Sequence, residues 1–217
     1  MPVKERPILF NTEMVKAILD GRKTMTRRVI KPQPYEGCGH IRVEYFYPTK
    51  IDRHGEEYPG DKIFGAYSLD GEWGCKCPYG QVGDRLWVRE TWDYTGQGLD
   101  CVYKADAKPT DIFPWEKYKP SIFMPRWASR ITLEITGIRA ERLWDITEDD
   151  AFAEGVNGGC LDCGYPQPCK CIIPNPSYTD SFIYLWDSIN TKRGHPWANN
   201  DWTWPISFRR VDHAATD

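Results

Sequence analysis

The sequence predicts an α+β fold in which a small, closed or strongly curved β-sheet is combined with a few short helices. Short segments of alternating apolar residues recur along the chain, and only three segments have the spacing and capping residues of a helix. The length of 217 residues suits one domain over residues 1–217. Two stretches without sustained periodicity, at about 31–83 and 157–178, are predicted to be irregular insertions, the first with room for one short hairpin.

A strand and a helix open the chain. The strand-like segment 7–10 leads into Asn11 and Thr12, a natural N-cap pair. A helix over 12–20 is predicted because apolar residues follow at helical spacing, and Gly21 suits the position that ends it. The apolar positions are Met14, Ala17 and Ile18.

Alternating apolar and polar residues predict three further strands. One follows the turn at Gly83 and places Leu86 and Val88 on one face. The second covers 130–138, and the last covers 202–211. The alternating apolar residues of the last strand are Trp204, Ile206 and Phe208.

Capping signals predict two more helices. Thr147, with Asp150 three residues later, resembles a capping box, and Gly155 is placed to end the short helix that follows. Asp180 is predicted to cap a longer helix. The apolar residues of that helix, at i, i+3, i+4 and i+7, are Phe182, Leu185, Trp186 and Ile189.

The composition limits the classes of partner and compartment. A net charge of −3 excludes a simple polycationic nucleic-acid binder, but not a local basic pocket. Ten tryptophans, twelve tyrosines and eight phenylalanines indicate either a core rich in large rings or an aromatic cleft for a planar base. The sequence has neither an apolar run of membrane-spanning length nor the apolar segment of a signal peptide. A cytoplasmic location is therefore predicted, where clustered cysteines more often bind metal than form disulfides.

Four cysteines within one short stretch predict a structural zinc site. The first pair has the Cys-x-x-Cys spacing of a zinc knuckle, and four thiolates make a closed tetrahedron around the ion. Unpaired surface cysteines are the alternative. The predicted ligands are Cys160, Cys163, Cys169 and Cys171.

A second zinc site is predicted to connect the two ends of the first insertion. Cys38 and His40 lie near one end, and Cys75 and Cys77 lie near the other. The two sets leave Cys101, whose apolar neighbours predict a core position. Neither set leaves an open ligand position, so the one to two zinc ions predicted per chain are structural, with no cofactor for catalysis.

The segment 21–28, Gly-Arg-Lys-Thr-Met-Thr-Arg-Arg, carries the strongest functional signal. It places four cations directly after the predicted end of a helix. A solvated basic loop is the common outcome for such a run. The alternative is the wall of a cleft, because Gly21 lets the backbone approach a ligand closely.

In this segment the chain resembles the ASCH family, whose members have a PUA-like β-barrel and a Gly-x-Lys-x-x-Glu-x-Arg signature. Gly21, Lys23 and Arg28 match the signature, and Thr26 stands where many members have Glu. Members that remove the acyl group of N4-acetylcytidine carry a similar Thr-containing motif, and long members from phages and prophages share further segments with this chain. The resemblance covers residues 7–30, 83–92, 130–155 and about 202–211, and both cysteine-bearing insertions lie outside it.

The resemblance implies that Lys23, Thr26 and Glu154 are catalytic. Lys23 would take a proton or stabilise an oxyanion, Thr26 would be the nucleophile or position a water, and the Glu154 carboxylic acid would shuttle protons. The neighbouring arginines are predicted to lower the pKa of Lys23. Because Lys23 and Thr26 are three residues apart, the chain must turn between them to bring both to one site.

An unstacked base needs aromatic and guanidinium planes around the catalytic set. The predicted substrate-binding residues are Gly21, Arg28, Arg89, Trp92 and Arg126. For four other tryptophans, packing in the core is favoured over contact with a base. These are Trp87, Trp127, Trp186 and Trp204.

Two functions follow from the sequence. One is hydrolysis of an amide on the exocyclic N4 of a modified cytosine, in a nucleoside or in nucleic acid. The other is a non-catalytic reader of RNA, of other single-stranded nucleic acid or of a modified base. The hydrolase is preferred because the Thr form of the motif occurs with a matching Glu. A histidine-pair ribonuclease is not supported, because no histidine lies in a recognised strand or motif. The four histidines are His40, His54, His195 and His213.

Overall fold

A computed structural model describes residues 2–94, 101–108, 118–157 and 177–211. Within these ranges the chain forms three α-helices, thirteen β-strands and six short 3-10 turns. The helices are α1 (Thr12–Leu19), α2 (Glu148–Ala153) and α3 (Tyr178–Asn190). The 3-10 turns are Lys104–Asp106, Ser121–Phe123, Arg126–Ala128, Leu143–Asp145, Thr191–Arg193 and Trp197–Asn199. The strands are β1 (Glu5–Leu9), β2 (Met25–Val29), β3 (Ile41–Phe46), β4 (Thr49–Ile51), β5 (Glu57–Pro59), β6 (Ile63–Ser68), β7 (Gly74–Lys76), β8 (Arg85–Arg89), β9 (Trp92–Tyr94), β10 (Cys101–Tyr103), β11 (Thr132–Ile138), β12 (Glu141–Arg142) and β13 (Trp202–Val211).

The largest sheet has six strands and curls into a half-barrel. Its order is β1-β8-β11-β13, where β1 runs parallel to β8 and the other pairs are antiparallel. The ten-residue β13 is central, because β11 and β12 share one of its edges and β2 pairs with the other. The combination of a curved sheet with a few short helices confirms the predicted α+β class.

The core lies on the concave, apolar side of this sheet, where the predicted alternation is observed. Leu86 and Val88 of β8 are buried together, as are the three alternating apolar residues of β13. Each large apolar side chain removed from water stabilises the fold by about 1.5–3 kcal/mol. The β13 residues in this cluster are Trp204, Ile206 and Phe208.

Local capping fixes α1 as the sequence predicts. The Asn11 side chain accepts a hydrogen bond of 2.8 Å from the backbone N–H of Met14, which satisfies a donor at the helix start. Asp20 closes the C-terminus, and Gly21 follows with φ +75°. A left-handed backbone at this position favours glycine, so the helix ends there.

The two later helices are joined to each other at their N-termini. Thr147 caps α2 as predicted, with its hydroxyl accepting from the Asp150 N–H at 3.1 Å. The N-cap of the longer helix lies three residues before the predicted one, because Ser177 is the N-cap and Asp180 completes a capping box from inside the helix. Glu148 of α2 accepts from the first N–H groups of α3. No helix in the described ranges is long and apolar enough to cross a membrane.

The first predicted insertion contains five strands, more than the one short hairpin expected within an irregular stretch. Strands β3, β6 and β7 form one antiparallel sheet, and β4 and β5 form a hairpin. Ala66, Cys75 and Cys77 attach the three-stranded sheet to the main core. The sequence does not reveal the position of the hairpin. All six residues of β4 and β5 are exposed, so no apolar alternation marks these strands. Positions 158–176 of the second predicted insertion lie outside the described residues.

Candidate functional site

The basic motif turns between α1 and β2, as the spacing of its functional residues requires. The Lys23 N–H donates to the Ala17 carbonyl at 3.0 Å, and the Thr24 N–H donates to the Ala153 carbonyl at 2.8 Å. The motif is therefore held to the ends of both α1 and α2. It then enters β2, where Thr26 lies on the strand that pairs with β13.

Lys23 and Glu154 form a buried pair across 131 positions of sequence. The Lys23 Nζ donates to Glu154 Oε2 at 2.7 Å and to the Glu154 backbone carbonyl at 2.8 Å. The two residues are 2% and 3% exposed. Burial lowers the pKa of Lys23; Glu154 opposes this shift, and the positive charges of Arg28 and Arg27 add to it. The predicted direction is therefore present, with burial rather than neighbouring charge as the main cause.

Gly155 makes room for this pair at the end of α2. It has φ +78°, a backbone conformation that favours glycine. A Cβ at this position would lie 2.7 Å from the Lys23 Cβ and 3.0 Å from the Ala17 Cβ. Gly155 therefore ends α2 directly after Glu154, and its missing side chain leaves space for Lys23.

Arg27 joins β2, β12 and α2 in a second buried ion network. Its Nη2 lies 2.5 Å from Glu141 Oε1 and 2.6 Å from Asp150 Oδ2. Arg139 also pairs with both of these carboxylates. The charge of Arg27 is thus compensated inside the protein, and its Nη1 is 3.8 Å from Glu154 Oε1. We infer that Arg27 positions α2, and with it the Glu154 carboxylate.

A cavity of about 390 Å³ lies between β2 and α3, with Thr26 and Glu154 in its lining. Within the described residues, the Thr26 hydroxyl makes no hydrogen bond, and Glu154 Oε1 is buried without a hydrogen-bond partner. A buried acceptor of this kind is costly unless a ligand or water satisfies it. The apolar wall is formed by Phe182, Leu185, Trp186, Ile189 and Trp204. The cations in the lining, apart from Arg27, are Arg28, Lys31, Lys76 and Arg193.

Among these cations, Arg28 is held in place by contacts with the end of β1 and the residue that follows it. Its Nη2 donates to the Leu9 carbonyl at 2.7 Å, and its guanidinium carbon lies 5.1 Å from the centre of the Phe10 ring. Burial lowers the pKa of Arg28, and the positive charge of Arg193 acts in the same direction. Two like charges held near one cavity create a site that favours an anion.

Three predicted substrate-binding residues are not brought to this cavity. Arg89 stacks over the Trp87 ring at 4.8 Å, and Arg126 pairs with Glu5 at 2.9 Å. Trp92 is buried in a separate apolar cluster. The predicted residues that the structure does bring together are Lys23, Thr26, Arg28 and Glu154.

Gly21 and the other predicted tryptophans have distinct positions. Gly21 is exposed at the end of α1, and nothing lies within 4 Å of the position its Cβ would take, so its contribution is conformational. Trp186 and Trp204 are buried and also line the cavity. Trp87 is buried as expected for core packing, whereas Trp127 is 58% exposed.

In the zinc set predicted for the first insertion, the three cysteines are buried and the histidine is exposed. Cys75 and Cys77 lie in the main core, where burial raises the pKa of each thiol to about 11. Cys38 is buried and His40 is exposed. Across the described ranges no group of three or more His, Cys, Asp or Glu side chains is placed to hold a metal ion. The four cysteines of the other predicted zinc site, Cys160, Cys163, Cys169 and Cys171, lie outside the described residues.

Cys101, which the sequence assigns to the core, is half-buried and packs beside the Trp92 cluster. Several cavity residues had no local signal in the sequence. Lys76 and Tyr79 come from β7 and the turn that follows it, and Arg193 comes from the turn after α3. The apolar period of α3 was visible, but not the surface that it covers.

The arrangement provides an amine of lowered pKa, a carboxylate that holds it, and a hydroxyl without a hydrogen-bond partner in the described residues, all at or beside one cavity. A base and an adjacent hydroxyl are the components of acyl transfer. The cations and the large rings in the lining suit an anionic ligand with a planar part. Comparison of the chain with family models, with curated proteins and with solved structures finds no match.

Proposed function

We propose that the chain is a PUA-like protein of the ASCH type that hydrolyses an amide on the exocyclic N4 of a modified cytosine. The observation that carries the proposal is the buried Lys23–Glu154 pair, 2.7 Å apart, beside a cavity that Thr26 lines. These three residues are the ones to which the ASCH-like motif assigns catalysis. The curled sheet with a few short helices supports a PUA-like barrel.

In the proposed reaction, the Thr26 Oγ, or a water that it holds, attacks the acyl carbonyl. Lys23 as a neutral amine takes the proton of the nucleophile, and its lowered pKa increases the fraction of that neutral form. When the bond between the acyl carbon and N4 breaks, the Lys23 ammonium gives the proton to N4. Water then releases the acyl group as a carboxylic acid if Thr26 has carried it, and the cytosine amine is the other product.

Glu154 is the positioning residue of this scheme. Its carboxylate and backbone carbonyl both accept from Lys23 Nζ, which directs the amine at a fixed angle. Arg28, next to the same cavity, supplies a positive charge where negative charge develops on the acyl oxygen.

Incubation of the full chain with N4-acetylcytidine and with acetylated RNA tests the proposal, with cytidine and acetate measured by chromatography. We expect turnover by the natural protein and its loss in Thr26→Val, which keeps the shape of the side chain and removes the hydroxyl. Thr24→Val is the matched control, because Thr24 is an exposed threonine of the same motif. Absence of turnover on both substrates, or equal activity of Thr26→Val and the natural protein, would refute the amidase.

A non-catalytic reader of RNA or of a modified base is the second candidate. It is favoured by the four cations and the aromatic wall of the same cavity, which recognise a base and phosphate whether or not chemistry follows. Binding of the acetylated ligands without product in the same assay would establish it.

The proposal also includes features that support the fold. From the clustering of cysteines in the sequence, we propose structural zinc at the 160–171 cysteines and at the set of Cys38, His40, Cys75 and Cys77. The same clustering supports a cytoplasmic location. The expected partners are a nucleoside or single-stranded nucleic acid.

A further inference from the structure

A second cavity adjoins the first. Its volume is about 130 Å³, and Lys76 of β7 lines both cavities. Three more cations line the second one, Lys4 and Arg6 from the N-terminal segment and Lys62 from the start of β6. Lys62 and Lys76 belong to the part of the chain that has no counterpart in the ASCH-like motif regions.

Seven cations thus follow one another along two adjoining cavities, and we call them the basic track. Within the described part of the chain, none of the seven forms an ion pair. The acidic residues in the two linings are Glu154, which pairs with Lys23, and Asp84, which accepts from two backbone N–H groups. The members of the basic track are Lys4, Arg6, Arg28, Lys31, Lys62, Lys76 and Arg193.

The basic track opposes the charge of the whole chain, which is −3. Positive side chains without an ion pair repel one another, and their concentration in concave surfaces makes the local potential more positive, which favours an anion. A single phosphate beside Arg28 and Arg193 would leave the cations of the second cavity without a ligand. A polyanion with regularly spaced charges would use both groups.

Aromatic rings accompany the cations in both cavities. Tyr45 and Phe64 line the second cavity, and Lys62 Nζ lies 5.1 Å from the centre of the Tyr45 ring. Tyr45 remains 37% exposed, so part of its ring is available to a ligand. Exposed rings interleaved with cations are the surface on which successive unpaired bases stack while their phosphates are neutralised.

We propose that the ligand is a single-stranded polynucleotide, with the modified base in the larger cavity and the neighbouring phosphates along the basic track to the second cavity. This deepens the proposed function and rests on it only for the identity of the modified base. A single strand is favoured over a duplex because the base must leave its stack to enter the cavity, and this costs least when the base is already unpaired. The residues of the first insertion that bind the strand are Tyr45, Lys62, Phe64 and Lys76.

Binding is measured on the full-length Thr26→Val variant, so that turnover does not consume the ligand. The ligands are N4-acetylcytidine, its 5′-monophosphate, and eight-nucleotide RNA and DNA strands with one N4-acetylcytosine. We expect affinity to increase from the nucleoside to the monophosphate and again to the strands. If four phosphates are neutralised, affinity for a strand falls about 50-fold between about 50 and 200 mM salt. The tighter of the two strands identifies RNA or DNA as the source of the backbone.

Charge removal in the second cavity separates the basic track from a general salt effect. In Lys4→Gln/Lys62→Gln two phosphate contacts disappear. We therefore expect the affinity of this variant for a strand to fall only about sevenfold over the same salt range, instead of about 50-fold. Lys16→Gln/Lys50→Gln is the matched control, because both are exposed lysines that already pair with carboxylates. Thermal melting of each variant shows whether it is folded.

Two results would overturn the basic track: equal affinity for the strands and the monophosphate, or an unchanged salt dependence in Lys4→Gln/Lys62→Gln that melts normally. The failure of the amidase is recognised separately. Strands that bind with the expected salt dependence but are never deacetylated by the natural protein would retain the track and refute the hydrolysis. Deacetylation of the free nucleoside without any effect of strand length would do the reverse.

Discussion

At the residue scale, the burial of the charged Lys23–Glu154 pair carries a large desolvation free energy. Transfer of an ammonium and a carboxylate from water costs several kcal/mol per ion, and their attraction offsets this only when the geometry is good. The two hydrogen bonds of Lys23 Nζ, at 2.7 and 2.8 Å, give that geometry. Because apolar side chains of similar volume often stabilise a core equally well, we infer that the pair is kept for its chemistry.

The lowered pKa of Lys23 predicts a pH dependence of turnover. In the proposed reaction the neutral amine of Lys23 is the active form, so kcat should rise with pH and level off below 10.5, the ordinary pKa of lysine. Removal of a like charge raises the pKa of Lys23, and Arg28→Gln should therefore move the rising limb to higher pH. Steady-state kinetics over a pH series measures both.

Arg22→Gln is the control for this shift, since Arg22 belongs to the same motif but pairs with Asp20 at 3.0 Å. Its pH profile should match that of the natural protein. A profile that is flat, or that falls as pH rises towards 10, would contradict a neutral Lys23 as the base.

At the element scale, α1 and α2 end in the same way but in different surroundings. Gly21 and Gly155 have φ values of +75° and +78°. The space beside Gly21 is empty to 4 Å, whereas Gly155 faces Lys23 and Ala17. The two helix ends thus separate the conformational requirement for glycine from the requirement for space.

Alanine at these two positions should have unequal effects. Gly21→Ala is expected to lower the free energy of unfolding by about 1–2 kcal/mol, the cost of a left-handed backbone for an L-residue. Gly155→Ala should lower it by about 2–4 kcal/mol, because its Cβ also overpacks Lys23. Denaturant unfolding measures both values, and only Gly155→Ala should also reduce kcat. Equal losses at the two sites would show that α2 shifts freely and that Gly155 does not hold Lys23 in place.

At the scale of the whole molecule, net charge conceals how charge is distributed. The chain carries 31 acidic and 28 basic side chains, yet the two cavities contain seven cations without an ion pair in the described residues. Most of the acidic residues are therefore elsewhere, and Glu141 and Asp150 neutralise Arg27 rather than the track. Solubility and ligand binding can thus be served by opposite charges on one small protein.

Metal content is a prediction for the whole chain, whose test is elemental analysis of protein purified without chelator. One to two zinc ions per chain are expected. Cys163→Ser should remove one ion if the 160–171 cysteines bind it, because a structural site needs all four ligands. Cys77→Ser tests the zinc site predicted for the first insertion, and Cys101→Ser is the control that should leave the zinc content unchanged. Natural protein that is metal-free and fully folded would refute structural zinc.

Much of the fold could be predicted because its signals are local. Asn11, Thr147 and Gly155 act within four residues of chain, and the alternating apolar residues of β8 and β13 belong to one core cluster. The start of α3 was misplaced because Ser177 and Asp180 are both good caps, and only the reciprocal hydrogen bonds decide between them. One short hairpin was expected in the first insertion, but β4 and β5 could not be located because they bury nothing, and the sheet of β3, β6 and β7 was not predicted.

The sequence by itself determined the ends of α1 and α2, the alternating core residues of β8 and β13, and a motif that names Lys23, Thr26 and Arg28, since each depends on residues close in the chain. Only the tertiary structure decided that Glu154 meets Lys23, that α3 closes a cavity over Thr26, and that Lys76 links it to a second one. The physical reason is that these contacts depend on strand register and helix packing. Both are fixed by the burial of the whole core, so neither is written in any short stretch of residues.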